Sequence, residues 1–386
     1  MNLSIKNLYI FITAFLGIES ALAYYSFYVF SGAGLIFYGL YIIIFLLYAS
    51  KYPIKGVNQK QGLLFLICYI FTYFLSIIHG FLPINVEWLI LFYGFTFLSV
   101  DEEVQYKVLR LFIKLFSVLL LISLLEYLLY CFVNYSFKDI IINRGYRTYH
   151  HLLFNVFEYE DYMILPRFQS ILDEPGMVGT FSALILCILW RKEGWIFEKI
   201  VFLLSGAFSF SLAFLFMIAI VLLLNFRFRL IHIIIGAALI IGTYIVLKDY
   251  IDTLVISRFE KEDTFTRTAY KFDRAFDNAW KSGGLWLGKG ATSHKLHTDI
   301  EDGNAGIKVW IFQYGIICMI MMVFMYTKIL LDRFKKYMRL NISILSFLII
   351  FWVSFYQRSD IEYPYYILMF FGFPAFYKLD NSKVTI

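Results

Sequence analysis

Residues 200–226 read IVFLLSGAFSFSLAFLFMIAIVLLLNF, an apolar run of 27 residues with the small and polar patch Gly206–Ser211 near its middle. A helix needs about 20 apolar residues to cross a bilayer, so the run is long for one crossing and short for two. Its flanks decide between them. Arg191, Lys192 and Lys199 precede it, and Arg227 and Arg229 follow it. Basic residues in short connections stay on the cytoplasmic side. Both clusters satisfy that rule only if the run crosses an even number of times, as a tight hairpin turning near Gly206–Ser211. A single tilted span would put Arg227 and Arg229 outside. The hairpin buries backbone polar groups at membrane depth, which is tolerated only within protein.

The same pattern extends outward. Further apolar runs fall at 8–29, 33–50, 62–80, 87–100, 111–133, 175–190, 230–247, 305–326, 342–357 and 363–377. They lack the period-2 alternation of a β-barrel. Lys51, Lys55 and Lys60 mark one further connection as cytoplasmic, and Lys328, Arg333, Lys335, Lys336 and Arg339 mark another. The expected fold is an all-α integral membrane protein with about 12 crossings, or 11 if 200–226 crosses once. Both termini are then cytoplasmic, and Lys6 precedes a retained first span, with no small-residue cleavage site. Residues 1–386 read as one polytopic domain with two large extracytoplasmic loops, 134–174 and 248–304. A short third outer loop carries Gln357, Arg358, Asp360 and Glu362.

Composition agrees. Of 386 residues 61% are hydrophobic and 21% aromatic, with 43 Phe and 30 Tyr, while 16% are charged. A soluble chain carries roughly 25% charged residues. The net charge of +6 is divided among short clusters between apolar runs, so it marks cytoplasmic loops and not a nucleic-acid surface. The cysteines, Cys68, Cys131, Cys187 and Cys318, lie in or beside apolar runs without CxxC spacing, which suggests neither a zinc site nor a disulfide framework. No repeat, and no inverted pair of broken helices of the transporter kind, is visible.

Long charged outer loops are not needed to connect helices, so function is sought there. The first loop ends Arg167-Phe-Gln-Ser-Ile-Leu-Asp-Glu174-Pro-Gly, directly before a span. Pro175 suits a first helical turn, and Asp173 and Glu174 suit the positive end of the helix dipole. Capping thus accounts for the carboxylates but leaves Arg167 over. In the second loop Arg258, Arg267 and Arg274 could form a floor for an anion, since guanidinium pairs with phosphate through two bonds. Arg267 and Arg274 also suit one face of an exposed helix. Gly288-Lys-Gly290 lacks the spacing and the hydroxyl residue of a Walker A loop. His294 and His297 stand beside Asp299, Glu301 and Asp302; two histidines with loose acids make a weak metal pattern, and imidazole is well poised for proton transfer. Asp299-Ile-Glu301-Asp302 resembles an acidic metal-nucleotide motif, but it falls outside the cytoplasm, where no nucleotide sugar is at hand. Within spans, Glu19, His79, Glu126 and His232 are functional candidates because buried ionisable groups are costly.

These elements resemble the O-antigen polymerase and O-antigen ligase superfamily of bacterial envelope glycan assembly. Arg167-x-x-Ser170-x-x-x-Glu174-Pro175-Gly176 is similar to that family's Arg-x-x-Ser-x-x-x-(Glu/Asn)-Pro element. The hairpin 200–226 stands where many members carry a Ser-Arg turn, here Ser209-Phe-Ser211 without Arg. Leu287-Gly-Lys-Gly290, then Asp302-Gly-Asn304 and Trp310-Ile-Phe-Gln-Tyr-Gly315, is similar to the family's loop exit. The motif match covers 167–180 and 285–317. Ligases carry a His in the exit element; Asn304 holds that position here, with His297 seven residues earlier, which favours polymerase over ligase.

The resemblance implies a GT-C-like glycosyltransferase of the bacterial cytoplasmic membrane, with its active site on the extracytoplasmic face. It would polymerise lipid-linked repeat units of O-antigen, capsule or a related polysaccharide. The growing glycan passes from undecaprenyl diphosphate to the sugar of a new undecaprenyl-diphosphate-linked unit, without nucleotide, metal or other cofactor. Arg167, Arg258 and Arg267 would bind the diphosphate. His294, His297 or Glu174 would act as the catalytic base, with Asp302, Asn304 and Arg358 as additional site residues. Membrane lipids, a chain-length regulator and a flippase are the partners implied; nucleic acid is not. Ligase-type transfer and lipid-linked oligosaccharide flipping are the alternatives.

Overall fold

The computed structural model describes residues 4–21, 33–52, 54, 56–79, 85–133, 140–144, 147–159, 166–172, 174–225, 270–291, 293, 306–337, 342–358, 361 and 363–381. The expected span 230–247 lies outside them. Among the described residues there are 12 helices. They are α1 (Ile5–Glu19), α2 (Ala33–Lys51), α3 (Gly56–Ile78), α4 (Asn85–Ser99), α5 (Glu102–Val133), α6 (Pro175–Leu189) and α7 (Ile196–Phe208). Then follow α8 (Leu212–Asn225), α9 (Tyr270–Lys281), α10 (Ile307–Tyr337), α11 (Ile342–Gln357) and α12 (Pro364–Asn381).

Among the described residues three segments are long and apolar enough to cross a bilayer: Asn58–Ile78, Glu102–Val133 and Ile307–Phe334. Shorter apolar helices surround them. Large apolar side chains face outward as well as inward. Ile36, Leu40, Ile43 and Leu47 form an exposed stripe on α2, and Ile317, Ile320 and Phe324 form one on α10. Water does not tolerate so much continuous apolar surface on a monomer, whereas lipid does. The polar residues are inside: Arg333 is buried, donating to Gln61 Oε1 (2.7 Å), Gln105 Oε1 (2.6 Å) and the Phe371 carbonyl (2.9 Å).

The run 200–226 is two helices, with the turn at Ser209–Ser211. Phe210 adopts φ 45° there, the Ser209 hydroxyl donates to the Gly206 carbonyl (2.6 Å), and Ser211 Oγ accepts from the Phe214 amide (3.5 Å). The arms pack chiefly on α6 and little on each other. Every residue of α6 is buried, as befits a helix apolar all round.

Polar contacts gather one set of helix ends. Lys6 pairs with Glu103, Lys378 with Glu102, Lys192 Nζ donates to the Tyr377 carbonyl (2.9 Å), and Trp195 Nε1 and the Tyr106 hydroxyl donate to Asp380. Asn225, closing α8, donates to Ser346 Oγ near the start of α11 (2.9 Å). Both arms of the hairpin thus return to this basic end. Measured from it at 1.5 Å per residue, α6, α7, α8 and α11 rise only about 20–24 Å, whereas α5 rises about 48 Å. A hydrocarbon core is about 30 Å thick. The far ends of the short helices therefore stop beside the flank of α5, where the first loop packs Phe168 on Tyr127 and Ser170 on Ser123.

The first long loop contains a three-stranded antiparallel sheet in the order β1 (Ile140–Arg144), β2 (Arg147–His151), β3 (Val156–Tyr159). In sequence this stretch reads only as a connection. Its strands are four or five residues long and carry no extended apolar alternation.

Candidate functional site

Glu174 shows where capping fails as an explanation. It occupies the N-cap position of α6, with φ −147° and ψ 152°, yet its side chain makes no capping bond. The carboxylate instead accepts from Arg358 Nη2 at 2.5 Å, across 184 positions of sequence. The partners differ in environment: the Arg358 side chain is 8% exposed and that of Glu174 48%. Burial by itself would lower the arginine's pKa; the Glu174 carboxylate and the hydroxyls of Tyr366 and Tyr365 outweigh it and hold the pKa above its ordinary value. Arg358 is thus a buried charged group whose counter-charge is half-exposed.

Arg167 lies at the hairpin turn. Its Nε donates to the Ser209 carbonyl (3.1 Å), and the Phe168 amide donates to the Phe208 carbonyl (2.9 Å). The first-loop motif is thus bound to the hairpin turn. Ser170 has φ 56°, meets Ser123 Oγ through its own hydroxyl (2.8 Å), and accepts from the Val156 amide (2.8 Å). Its part is to knit loop, sheet and α5 together. Glu126 completes that seam. It is 2% exposed and accepts from the amides of Leu153 (3.0 Å) and Phe154 (2.8 Å) and from Asn155 Nδ2 (2.8 Å). The Tyr127 hydroxyl donates to the Pro166 carbonyl (2.9 Å). Glu126, a functional candidate in the sequence, therefore does structural work as the anchor of the first loop.

The second-loop motif is a backbone clasp. α10 is interrupted at Gly315, at φ 88° and ψ 163°. A break frees amides on one side and carbonyls on the other. Residues 285–290 satisfy both. The amides of Ile316 and Ile317 donate to the carbonyls of Leu285 (2.9 Å) and Trp286 (3.3 Å). The amides of Lys289 and Gly290 donate to Phe312 (2.8 Å) and Gln313 (2.9 Å). A Cβ on Gly288 would lie 2.4 Å from the Gln313 carbonyl oxygen, and one on Gly315 would lie 2.6 Å from the Gly288 nitrogen. The two glycines of the motif, 27 positions apart, thus meet face to face. The Ala291 amide donates to Ser76 Oγ (2.7 Å), fixing the clasp to α3. α9 packs Phe272 on Phe312 and pairs Asp273 with Lys308 (2.9 Å), while Arg274 is exposed.

Of the sequence-derived site residues, the structure pairs Glu174 with Arg358, and Arg167 bonds the hairpin turn. Arg258, Arg267, His294, His297, Asp302 and Asn304 lie outside the described residues, as do Asp173, Asp299, Glu301 and His232. The 184-position separation of Glu174 and Arg358 leaves no local pattern by which to pair them; the only signal was two opposite charges, each at the mouth of a span. Among the described residues no group of three or more His, Cys, Asp or Glu could hold a metal ion. Comparison with protein-family models, curated proteins and solved structures found no match to this chain.

Proposed function

We propose that the chain is a glycosyltransferase that polymerises lipid-linked oligosaccharide repeat units at the end of its bundle that carries Glu174 and Arg358, on the extracytoplasmic face of a bacterial cytoplasmic membrane. The observation that carries this reading is the buried, charged Arg358 bound to a half-exposed Glu174 that does not cap its own helix, at the level where the short helices end. A polyprenyl diphosphate presents its charge at headgroup depth while its chain stays in lipid. A buried arginine at the helix ends, with Arg167 at the hairpin turn, suits that geometry.

In the reaction, a hydroxyl oxygen of the acceptor sugar attacks the anomeric carbon of the donor glycan. The bond from that carbon to the diphosphate oxygen breaks, and the diphosphate leaves with the electron pair. The acceptor proton passes to a base, for which His294 and His297 stand first and Glu174 second. Arg167, with Arg258 and Arg267 contributed by the second loop, binds the diphosphate. Contacts that tighten as charge builds on a leaving group accelerate the step itself. No nucleotide is required, because the bond energy already lies in the diphosphate.

The test is elongation by purified chain in liposomes supplied with lipid-linked repeat unit. Arg167→Ala should lose elongation with normal membrane insertion, and Arg167→Lys should be strongly impaired, because lysine keeps the charge and loses the two-pronged geometry. A near-normal rate in Arg167→Ala would overturn its assignment.

A further inference from the structure

One face of α5 changes character along its length. Glu103, Lys107, Arg110 and Lys114 follow one another at three- and four-residue steps, so they share a stripe. Val118, Ile122, Leu125 and Leu129 continue that stripe and are exposed. α7 packs against α5, with Phe202 on Phe116 at 5.9 Å, and makes the same change. Just before it Arg191 and Glu193 are exposed; from its first turn onward Ile196, Phe197, Ile200 and Leu203 are. The two changes fall at one level, because Lys114 Nζ stands 5.8 Å from the centre of the ring of Trp195, the N-cap residue of α7. A surface that turns from charged to apolar at one level on two packed helices marks where lipid headgroups give way to acyl chains.

The cations at that level are not matched by carboxylates. Glu103 binds Lys6 and Lys107. Asp380 accepts from the Tyr106 hydroxyl (3.1 Å) and from Trp195 Nε1 (3.2 Å). Arg110 Nη1 donates to the Tyr106 hydroxyl (3.2 Å), and its guanidinium lies 5.9 Å from the centre of that ring. Among the described residues neither Arg110 nor Lys114 pairs with a carboxylate. They are one turn apart, so their side chains can close on a single anion. A membrane phospholipid supplies the complement: a phosphodiester at headgroup level and acyl chains to lie along Val118–Leu129. A headgroup with its own ammonium would bring a further positive charge to a place already rich in it. The fit is therefore to a net-anionic headgroup.

We propose that Arg110 and Lys114 form a binding site for an anionic phospholipid in the leaflet at the basic end of the bundle, its acyl chains on the apolar stripe of α5. The site lies at the opposite helix ends from Glu174 and Arg358 and does not depend on the transferase reading.

The test is lipid retention by the purified chain, read by native mass spectrometry. The chain is exchanged into neutral detergent carrying phosphatidylglycerol, phosphatidylcholine or inorganic phosphate. Wild type should hold phosphatidylglycerol well above phosphatidylcholine. Arg110→Gln with Lys114→Gln should weaken phosphatidylglycerol binding by about thirtyfold, the share of two cations at an anionic lipid surface. Arg110 braces Tyr106, so Lys114→Gln alone, at an exposed residue, keeps the test open if the double variant does not fold; it should lose about fivefold. Lys107→Gln, on the same stripe but already bound to Glu103, should stay within about twofold of wild type. Equal retention of phosphatidylglycerol by wild type and Lys114→Gln overturns the proposal, as does phosphatidylcholine held equally well or an equal loss in Lys107→Gln. Inorganic phosphate that displaces phosphatidylglycerol at equal concentration would show a free-anion site and overturn the lipid assignment.

Discussion

The two stretches that the sequence singled out, 167–176 and 285–317, are built on opposite principles. In the first, side chains do the connecting: Arg167 reaches Ser209, Ser170 reaches Ser123, and Glu174 reaches Arg358. In the second, the backbone does it: Leu285–Gly290 closes over the break at Gly315, and the motif glycines matter for the atoms they lack. In sequence both look like sparse motifs of polar or small residues. Only contacts separate a motif that carries charge to a site from one that lets two chains touch.

The largest effect should come from breaking the clasp. Gly288 and Gly315 combine positive φ with backbone atoms within 2.7 Å of any added Cβ. Gly288→Ala or Gly315→Ala should cost about 3–5 kcal/mol in strain and overpacking, enough to remove the monodisperse peak in size-exclusion chromatography. Lys289→Ala, at the exposed residue between the motif glycines, should change little. A stable Gly315→Ala protein would show that the close approach is not needed.

The next effect belongs to the seam under the first loop. Glu126→Gln keeps the shape and removes the charge that three donors share, at a cost of about 2 kcal/mol. Hydrogen exchange of the Leu153 and Phe154 amides should quicken while α5 stays protected. Unchanged protection would remove Glu126 as the anchor.

The smallest effect sharpens the comparison most, because it depends on asymmetry within one pair. Glu174→Gln leaves the buried Arg358 guanidinium without its counter-charge and should lower stability by about 1–2 kcal/mol, discounted from a fully buried pair because Glu174 is half-exposed. Arg358→Met leaves a carboxylate that water can reach and should cost under about 1 kcal/mol. Thermal unfolding in detergent would read the order. The reverse order would mean that the guanidinium is solvated after all.

Much of the frame was legible. The run 342–357 is helical over the same residues, and the hairpin was found from charge alone, because lysine and arginine outside the bilayer report sidedness independently of packing. What was not legible depends on long-range contact. Glu126 looked functional because a buried carboxylate is costly, and the amides that offset the cost sit 27 and 28 positions away. Gly315 lies inside an apolar run that reads as one continuous helix, and its break is visible only with the partner strand of chain in place. The sheet was missed because its strands are too short for a period to register.

The most direct test of the proposed activity is elongation of lipid-linked repeat units by purified chain in liposomes. A ladder of lipid-linked polymer is expected, formed without nucleotide, that disappears in Arg167→Ala while the protein stays inserted and folded. Transbilayer movement of the repeat unit without elongation, or a ladder that persists unchanged in Arg167→Ala, would contradict it.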